Sequence, residues 1–292
     1  MNKLSPSLLS ADFTHLAEAV EVMEKNNVPY LHVDVMDGVF VPNISIGVPV
    51  VKSLRKITDL VLDVHLMIID PERYIEAFAN AGADIINIHY EACRKCKDTL
   101  IKIRHLGKSP AITIKPKTDW KEIIDLLPYV DMVLVMSVEP GFGGQKFIES
   151  TLENVKGLAD YKKENNMNFD IEIDGGVNAD NLHRPLEAGA NIIVAGSAIY
   201  GKEDIPAEIK KFKEIMDRYE DWYLWNTFLL EVDNFQKKAI LRNMQKNAKW
   251  LPVTVVLTIV EKIILYQILW LEILILLLMK IICILKIWEL KK

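Results

Sequence analysis

Three cysteines in 292 residues are too few for a disulfide framework. Cys93 and Cys96 have the Cys-x-x-Cys spacing, but a four-thiolate zinc site needs two such pairs. They read as ordinary thiols on a helix after a strand. A basic excess is also missing: the formal net charge is −5, which gives no electrostatic reason to expect a nucleic-acid partner. Met1-Asn2-Lys3-Leu4 lacks the apolar run of a secretory signal, so a cytoplasmic location is expected. There is no unbroken apolar stretch of the roughly 20 residues that a membrane span requires. Leu251–Leu290 is dense in Ile, Leu and Val, but Glu261, Lys262, Glu272 and Lys280 interrupt it, and no membrane anchor is expected. Glycine disappears as well. All 13 glycines lie at or before Gly201, whereas five of the six tryptophans fall after residue 221. Two unlike compositions meet near residue 220.

What is present before that point is regular. Half of the chain is apolar and about a quarter charged, as in an ordinary globular enzyme. Short β-branched or apolar runs at Leu4–Leu9, Tyr30–Asp34, Val61–Met67, Ile85–His89, Ala111–Ile114, Met132–Val135, Asp170–Asp174 and Ile192–Ala195 predict eight strands. Helix-length amphipathic segments such as Phe13–Asn26 and Pro71–Ala81 lie between them. Leu16, Ala19, Val20, Val22 and Met23 would face the sheet, with Asp12 capping the start. Apolar strands alternating with helices point to a parallel sheet. Eight repeats in residues 1–220 suit a closed (β/α)₈ TIM barrel better than an open doubly wound sheet. The domain boundary is placed there, with 221–292 as a C-terminal extension.

In such a barrel the chemistry sits where strands end. The second strand ends His32-Val33-Asp34-Val35-Met36, and alternation puts His32, Asp34 and Met36 on one face. The third ends Asp63-Val64-His65-Leu66-Met67 and the seventh Glu172-Ile173-Asp174. The first offers Ser5 and Ser7, the fourth His89 and Glu91. His89 taken alone reads as a satisfied core histidine. Two His and two Asp at one end of three strands are different, because charge inside an apolar barrel must be paired or bound to metal. That donor set suits one divalent ion, with Zn²⁺, Fe²⁺, Mn²⁺ and Co²⁺ all allowed. Glycines follow three successive strands: Gly141-Phe142-Gly143-Gly144, Gly175-Gly176, and Gly196-Ser197. Backbone N–H groups can approach an anion closely there, and a phosphate site of such barrels lies after strands seven and eight.

At these residues a resemblance emerges. Ser5-Pro6-Ser7-Leu8-Leu9-Ser10-Ala11-Asp12-Phe13, the stretch HVDVMDGVFVPNISIGV from His32, Leu62–Met67, Met136–Gln145 and Ile173–Val177 together resemble the ribulose-phosphate 3-epimerase family over residues 1–219. The resemblance implies that His32, Asp34, His65 and Asp174 bind the metal. It implies that Asp34 and Asp174 are the catalytic acid/base pair, and that Ser7 and His65 contact the sugar. Gly141, Phe142, Gly143, Gly144, Gly175, Gly176, Gly196 and Ser197 would hold the phosphate, and Met36, Met67 and Met136 would line the site. Lys115-Pro116-Lys117-Thr118 departs from the family's Asn-Pro-x-Thr.

The expected activity is then interconversion of D-ribulose 5-phosphate and D-xylulose 5-phosphate, in the pentose phosphate pathway, through a 2,3-enediolate. D-allulose 6-phosphate is the alternative substrate, and a homo-oligomer the expected assembly. From Asp221 onward the barrel pattern fails. Read from the third base of each codon, permitted codons across Val253–Thr258 spell DGGAN, and those across Leu271–Leu276 spell GDFDS. Both strings resemble the thiamine pyrophosphokinase family, so the tail reads as an out-of-frame translation and no kinase activity is expected.

Overall fold

The computed structural model describes residues 2–231, with side chains through Glu220. The tail beyond, including the apolar stretch and the frame-shifted reading, lies outside the described residues. Met1–Glu220 forms one compact unit.

Its strands are β1 (Lys3–Pro6), β2 (Tyr30–Met36), β3 (Val61–Met67), β4 (Ile85–His89), β5 (Ser109–Ile114), β6 (Met132–Met136), β7 (Asp170–Asp174) and β8 (Ile192–Ala195). All neighbouring strands pair in parallel, in the order β1-β8-β7-β6-β5-β4-β3-β2. A single parallel bridge between Ser7 and His32 joins the two ends of the sheet. The result is the expected (β/α)₈ barrel.

Helices α1 (Leu16–Lys25), α2 (Val48–Leu54), α3 (Ile75–Ala81), α4 (Cys96–His105), α5 (Leu152–Glu164), α6 (His183–Ala188), α7 (Ser197–Tyr200) and α8 (Ile205–Glu231) return the chain between strands or follow the last one. No helix among the described residues is long and apolar enough to cross a membrane.

Side-chain alternation divides each strand between two environments. Leu31, Val33 and Val35 of β2 and Leu62, Val64 and Leu66 of β3 point outward into the main core. There they meet Val20 and Met23 of α1, Val51 and Leu54 of α2, and Ile209 and Phe212 of α8. Each such burial contributes about 1.5–3 kcal/mol, so this ring of contacts holds the barrel. The inward residues are layered. Ile85, Ala111, Met132 and Ile192, with Tyr30 and Val61 against them, plug the floor. Below that floor Lys3 Nζ pairs with Asp170 at 2.8 Å. Above it the interior turns polar, with Ser5, His32, Asp63, Asn87, Thr113 and Glu172 fully buried.

Several expected boundaries shift. The first strand stops at Pro6 instead of reaching Leu9, because the Ser7 hydroxyl accepts from Leu9 N–H and turns Leu8–Ser10 into a 3₁₀ helix. Phe13–His15 and Pro71–Arg73 tighten into 3₁₀ turns ahead of α1 and α3. Asp12 does cap, accepting from Thr14 N–H at 2.9 Å.

Candidate active site

β2 and β3 are paired so that His32 sits opposite Asp63 and Asp34 opposite His65. That register puts two imidazoles and a carboxylate side by side at the C-terminal mouth, and Asp174, at the end of β7, completes the group. His32 Nε2 lies 3.2 Å from His65 Nδ1. Asp34 Oδ1 is 3.4 Å from the first and 3.3 Å from the second. Asp174 Oδ2 is 4.0 Å from His32 Nε2. One donor atom from each of the four lies within 4.8 Å of the others.

These separations suit a cation. Tetrahedral bonds of about 2.0–2.1 Å place neighbouring ligands roughly 3.3 Å apart. The charge balance suits one too. Asp34, Asp63 and Glu172 are buried beside Asp174, yet no lysine or arginine is among the buried groups of the described residues. Positive charge must come from protons or from a metal, so the residues present fit a metal ion.

Without an ion, protons take that role. Burial opposes charge on His32, but the carboxylates of Asp34 and Asp63 outweigh it and hold the imidazole well above its usual pKa. Burial would likewise raise Asp34, yet His32 and His65 hold it far below the ordinary range, as a carboxylate. Asp174 differs: burial pushes it up to about 6, with the His32 charge opposing and the Asp34 charge adding. Burial and the charge of Asp63 also keep Glu172 well above the usual carboxyl value. Two aspartates a few ångströms apart are thus pushed in opposite directions.

Orientation comes from the surrounding groups. Ser7 Oγ donates to Asp34 Oδ2 at 2.6 Å, which leaves Oδ1 for the imidazoles. His32 Nδ1 is 2.7 Å from Asp63 Oδ2, so a ring proton belongs there, and Nε2 is the nitrogen that would give its lone pair to an ion. His65 Nε2 meets His89 Nε2 at 2.9 Å, and His89 Nδ1 meets Glu91 Oε2 at 3.3 Å. Asp63 and Glu172 stood at the ends of their strands in the sequence but drew no role there. Their function depends on which neighbour the register supplies.

A cavity of about 450 Å³ opens over this group. Ser7, Asp34 and Asp174 line its inner end with Met36, Met67 and Met136. Gly141, Phe142, Gly143, Gly144, Gly175, Gly176, Gly196 and Ser197 line its outer part, so all three expected glycine loops reach one space. His32 and His65 are fully buried beneath. Gly176 has φ +66°, and a Cβ there would lie 2.5 Å from Phe147 N, so only glycine fits without movement. Lys202 and Lys211 also border the cavity, which no sequence motif had marked. Cys93 and Cys96 are free thiols away from it.

Comparison with known proteins places the chain in a family. A family model described as the ribulose-phosphate 3 epimerase family matches residues 3–200. The chain is 47% identical over 216 residues to a ribulose-phosphate 3-epimerase of Bacillus subtilis, an alignment covering 73% of this chain and 99% of the relative. It is 47% identical over 212 residues to a chloroplastic ribulose-5-phosphate-3-epimerase of Arabidopsis thaliana, covering 72% and 75%. Among solved structures, 3-hexulose-6-phosphate synthase of Salmonella typhimurium superposes with a TM-score of 0.56 at 20% identity, over 74% of this chain and 99% of that one. That last likeness speaks to the fold alone. By sequence, fold and extent of match, the chain belongs to the ribulose-phosphate 3-epimerase family.

Proposed function

We propose that this chain is a metal-dependent epimerase that interconverts D-ribulose 5-phosphate and D-xylulose 5-phosphate by two-base proton transfer at C3. One observation carries the reading: donor atoms of His32, Asp34, His65 and Asp174 lie within 4.8 Å of one another, beneath a cavity whose outer part is lined by three glycine loops. A divalent ion held by these four residues, Zn²⁺, Fe²⁺, Mn²⁺ or Co²⁺, would supply Lewis acidity toward charge developing on the ketose oxygens.

The rest is the work of the chain's own side chains. The C2 ketone acidifies the C3 proton, so a carboxylate held at C3 removes it and leaves a 2,3-enediolate. A carboxyl group on the opposite face then delivers a proton and inverts the centre. Asp34, held ionised, and Asp174, inclined to hold a proton, are the two groups suited to this exchange. Each serves as base in one direction and as acid in the other. Ser7 keeps Asp34 turned toward the imidazoles and reaches the sugar, as does His65. Met36, Met67 and Met136 exclude water and have no proton to lend. Gly141, Phe142, Gly143, Gly144, Gly175, Gly176, Gly196 and Ser197 take the phosphate. Both relatives quoted above are named for ribulose phosphate, and nothing favours the hexulose substrate.

Residues 1–220 form the catalytic unit, consistent with a family match over residues 3–200 and with an alignment that spans 99% of the Bacillus subtilis protein. The tail is not a functional domain in this reading. The enzyme acts in the cytoplasm as a homo-oligomer. The test is an epimerisation assay after metal reconstitution, on the full chain and on a chain ending at Glu220. Equal turnover in both is expected. Loss of activity on truncation would overturn the domain assignment, and inactivity of both with every divalent metal would overturn the function.

A further inference from the structure

A neutral imidazole carries one proton, so a histidine that offers one nitrogen to a cation must place its proton on the other. His32 has its proton fixed directly, by Asp63 at 2.7 Å. His65 has no carboxylate at its second nitrogen. Its Nδ1 faces Asp34 and His32, and its Nε2 faces His89 Nε2 at 2.9 Å. Two facing nitrogens make a hydrogen bond only if one of them lacks a proton. If His65 Nδ1 is to stay free, the shared proton belongs to His65 Nε2, and His89 must carry its own on Nδ1. There Glu91 Oε2 receives it at 3.3 Å.

Glu91 is itself held. Its other oxygen, Oε1, accepts from Lys115 N–H at 2.7 Å and from the Thr118 hydroxyl at 2.6 Å. Those donors, together with His89, keep it a carboxylate with a pKa of about 2, against the upward push of burial. The rings cannot turn to find other partners. His89 is fully buried, stacked on His65 at 4.9 Å between centroids on one side and tilted against Phe40 at 4.7 Å on the other.

We propose that Glu91, acting through His89, is a positioning residue that fixes the proton of His65 on Nε2 and so keeps Nδ1 free to bind the ion. The proposal rests on the reading that His65 is a metal ligand. It gives the loop after β5 a part in the site, since Lys115 and Thr118 set the orientation of Glu91. It also predicts why an amide should fail at Glu91. A glutamine there presents an NH₂ group either to the Lys115 and Thr118 donors or to His89 Nδ1. In the second case His89 moves its proton to Nε2, and His65 must then move its own onto Nδ1.

The experiment uses the full chain, as wild type, Glu91→Gln, Thr118→Val and His65→Ala. It measures Co²⁺ affinity by chelator competition, the visible absorption spectrum of the Co²⁺-loaded proteins, and thermal unfolding of the metal-free proteins. Glu91→Gln is expected to bind Co²⁺ about 10- to 100-fold more weakly, with an altered spectrum. Thr118→Val should show a smaller loss in the same direction and keeps the test available if the first variant folds poorly. Wild-type affinity and spectrum in both variants, even with lowered thermal stability, would reduce Glu91 to a structural role and overturn the proposal. If His65→Ala binds Co²⁺ as tightly as wild type, the ligand reading itself falls, and the proposal with it.

Discussion

Replacing Gly176 by alanine isolates the phosphate-holding role of the glycine loops. The added Cβ would stand 2.5 Å from Phe147 N, 2.8 Å from Gln145 O and 2.9 Å from Phe147 Cα, all backbone atoms. To restore van der Waals contact, the Gln145–Phe147 segment must retreat by about 1 Å, and a misplacement of that size costs on the order of 100-fold in rate. Expressed as free energy that is about 2.7 kcal/mol in kcat/KM. The left-handed φ of +66° adds a separate stability cost of roughly 1–2 kcal/mol. Gly107 supplies the control. Its φ is +72°, but nothing lies within 4 Å of the Cβ position, so Gly107→Ala should show the backbone cost alone. The assays are steady-state kinetics, competitive inhibition by inorganic phosphate, and thermal unfolding of both variants. Gly176→Ala should lose about 100-fold in kcat/KM and bind phosphate more weakly, while Gly107→Ala matches wild type in both. If the two variants lose similar stability and Gly176→Ala keeps wild-type kinetics, the loops do not hold the phosphate.

Three further outcomes follow from the same geometry. With metal content matched, Asp34→Asn and Asp174→Asn should each lose at least 10²- to 10⁴-fold in turnover, in the range of one lost acid–base group. In D₂O each variant should still exchange the C3 proton of one epimer, and exchange of both epimers at wild-type rates would remove the two-base assignment. Glu91, at about 2, lies below its ordinary 4.5, so its stabilisation is complete above that value and is lost as pH falls toward 2. The unfolding free energy separating the metal-free wild type from Glu91→Gln should therefore narrow by about 0.8 kcal/mol between pH 6 and pH 4. Urea titrations showing a constant gap would contradict that depression. Phe212 is fully buried against the barrel, and Phe212→Ala should cost about 3–5 kcal/mol while leaving Co²⁺ affinity intact in the folded fraction.

How much of this was readable beforehand depends on whether a feature is local. Strand alternation separated His32 and Asp34 from Val33 and Val35 correctly, because a period of two is a property of the strand itself. The end of the first strand was misplaced because Leu8 and Leu9 stay apolar while the Ser7 side chain bends the chain, and hydropathy has no record of a hydroxyl's partner. The four proposed metal ligands converge as the fold class implied, since parallel strands all end at one rim. His89 read as a core histidine, and it is fully buried. What single-residue reasoning could not see is that its neighbour across β3 is His65 and its terminus is Glu91, a chain of contacts that exists only once the register is set. Lys202 and Lys211 reach the cavity from chain segments after the last strand, a position with no motif to betray it.

The lone bridge between Ser7 and His32 is where the sheet's two ends meet, and both residues belong to the site. An ion shared among β2, β3 and β7 would therefore act as a clasp on the weakest circumference of the barrel. It should favour the shut form by an amount that grows with the logarithm of free metal. Losing such an ion would then do more than stop turnover: it would unlatch the wall to which the N-terminal strand is fastened, and the amides of β1 would become the natural place for a demetallated molecule to begin to come apart.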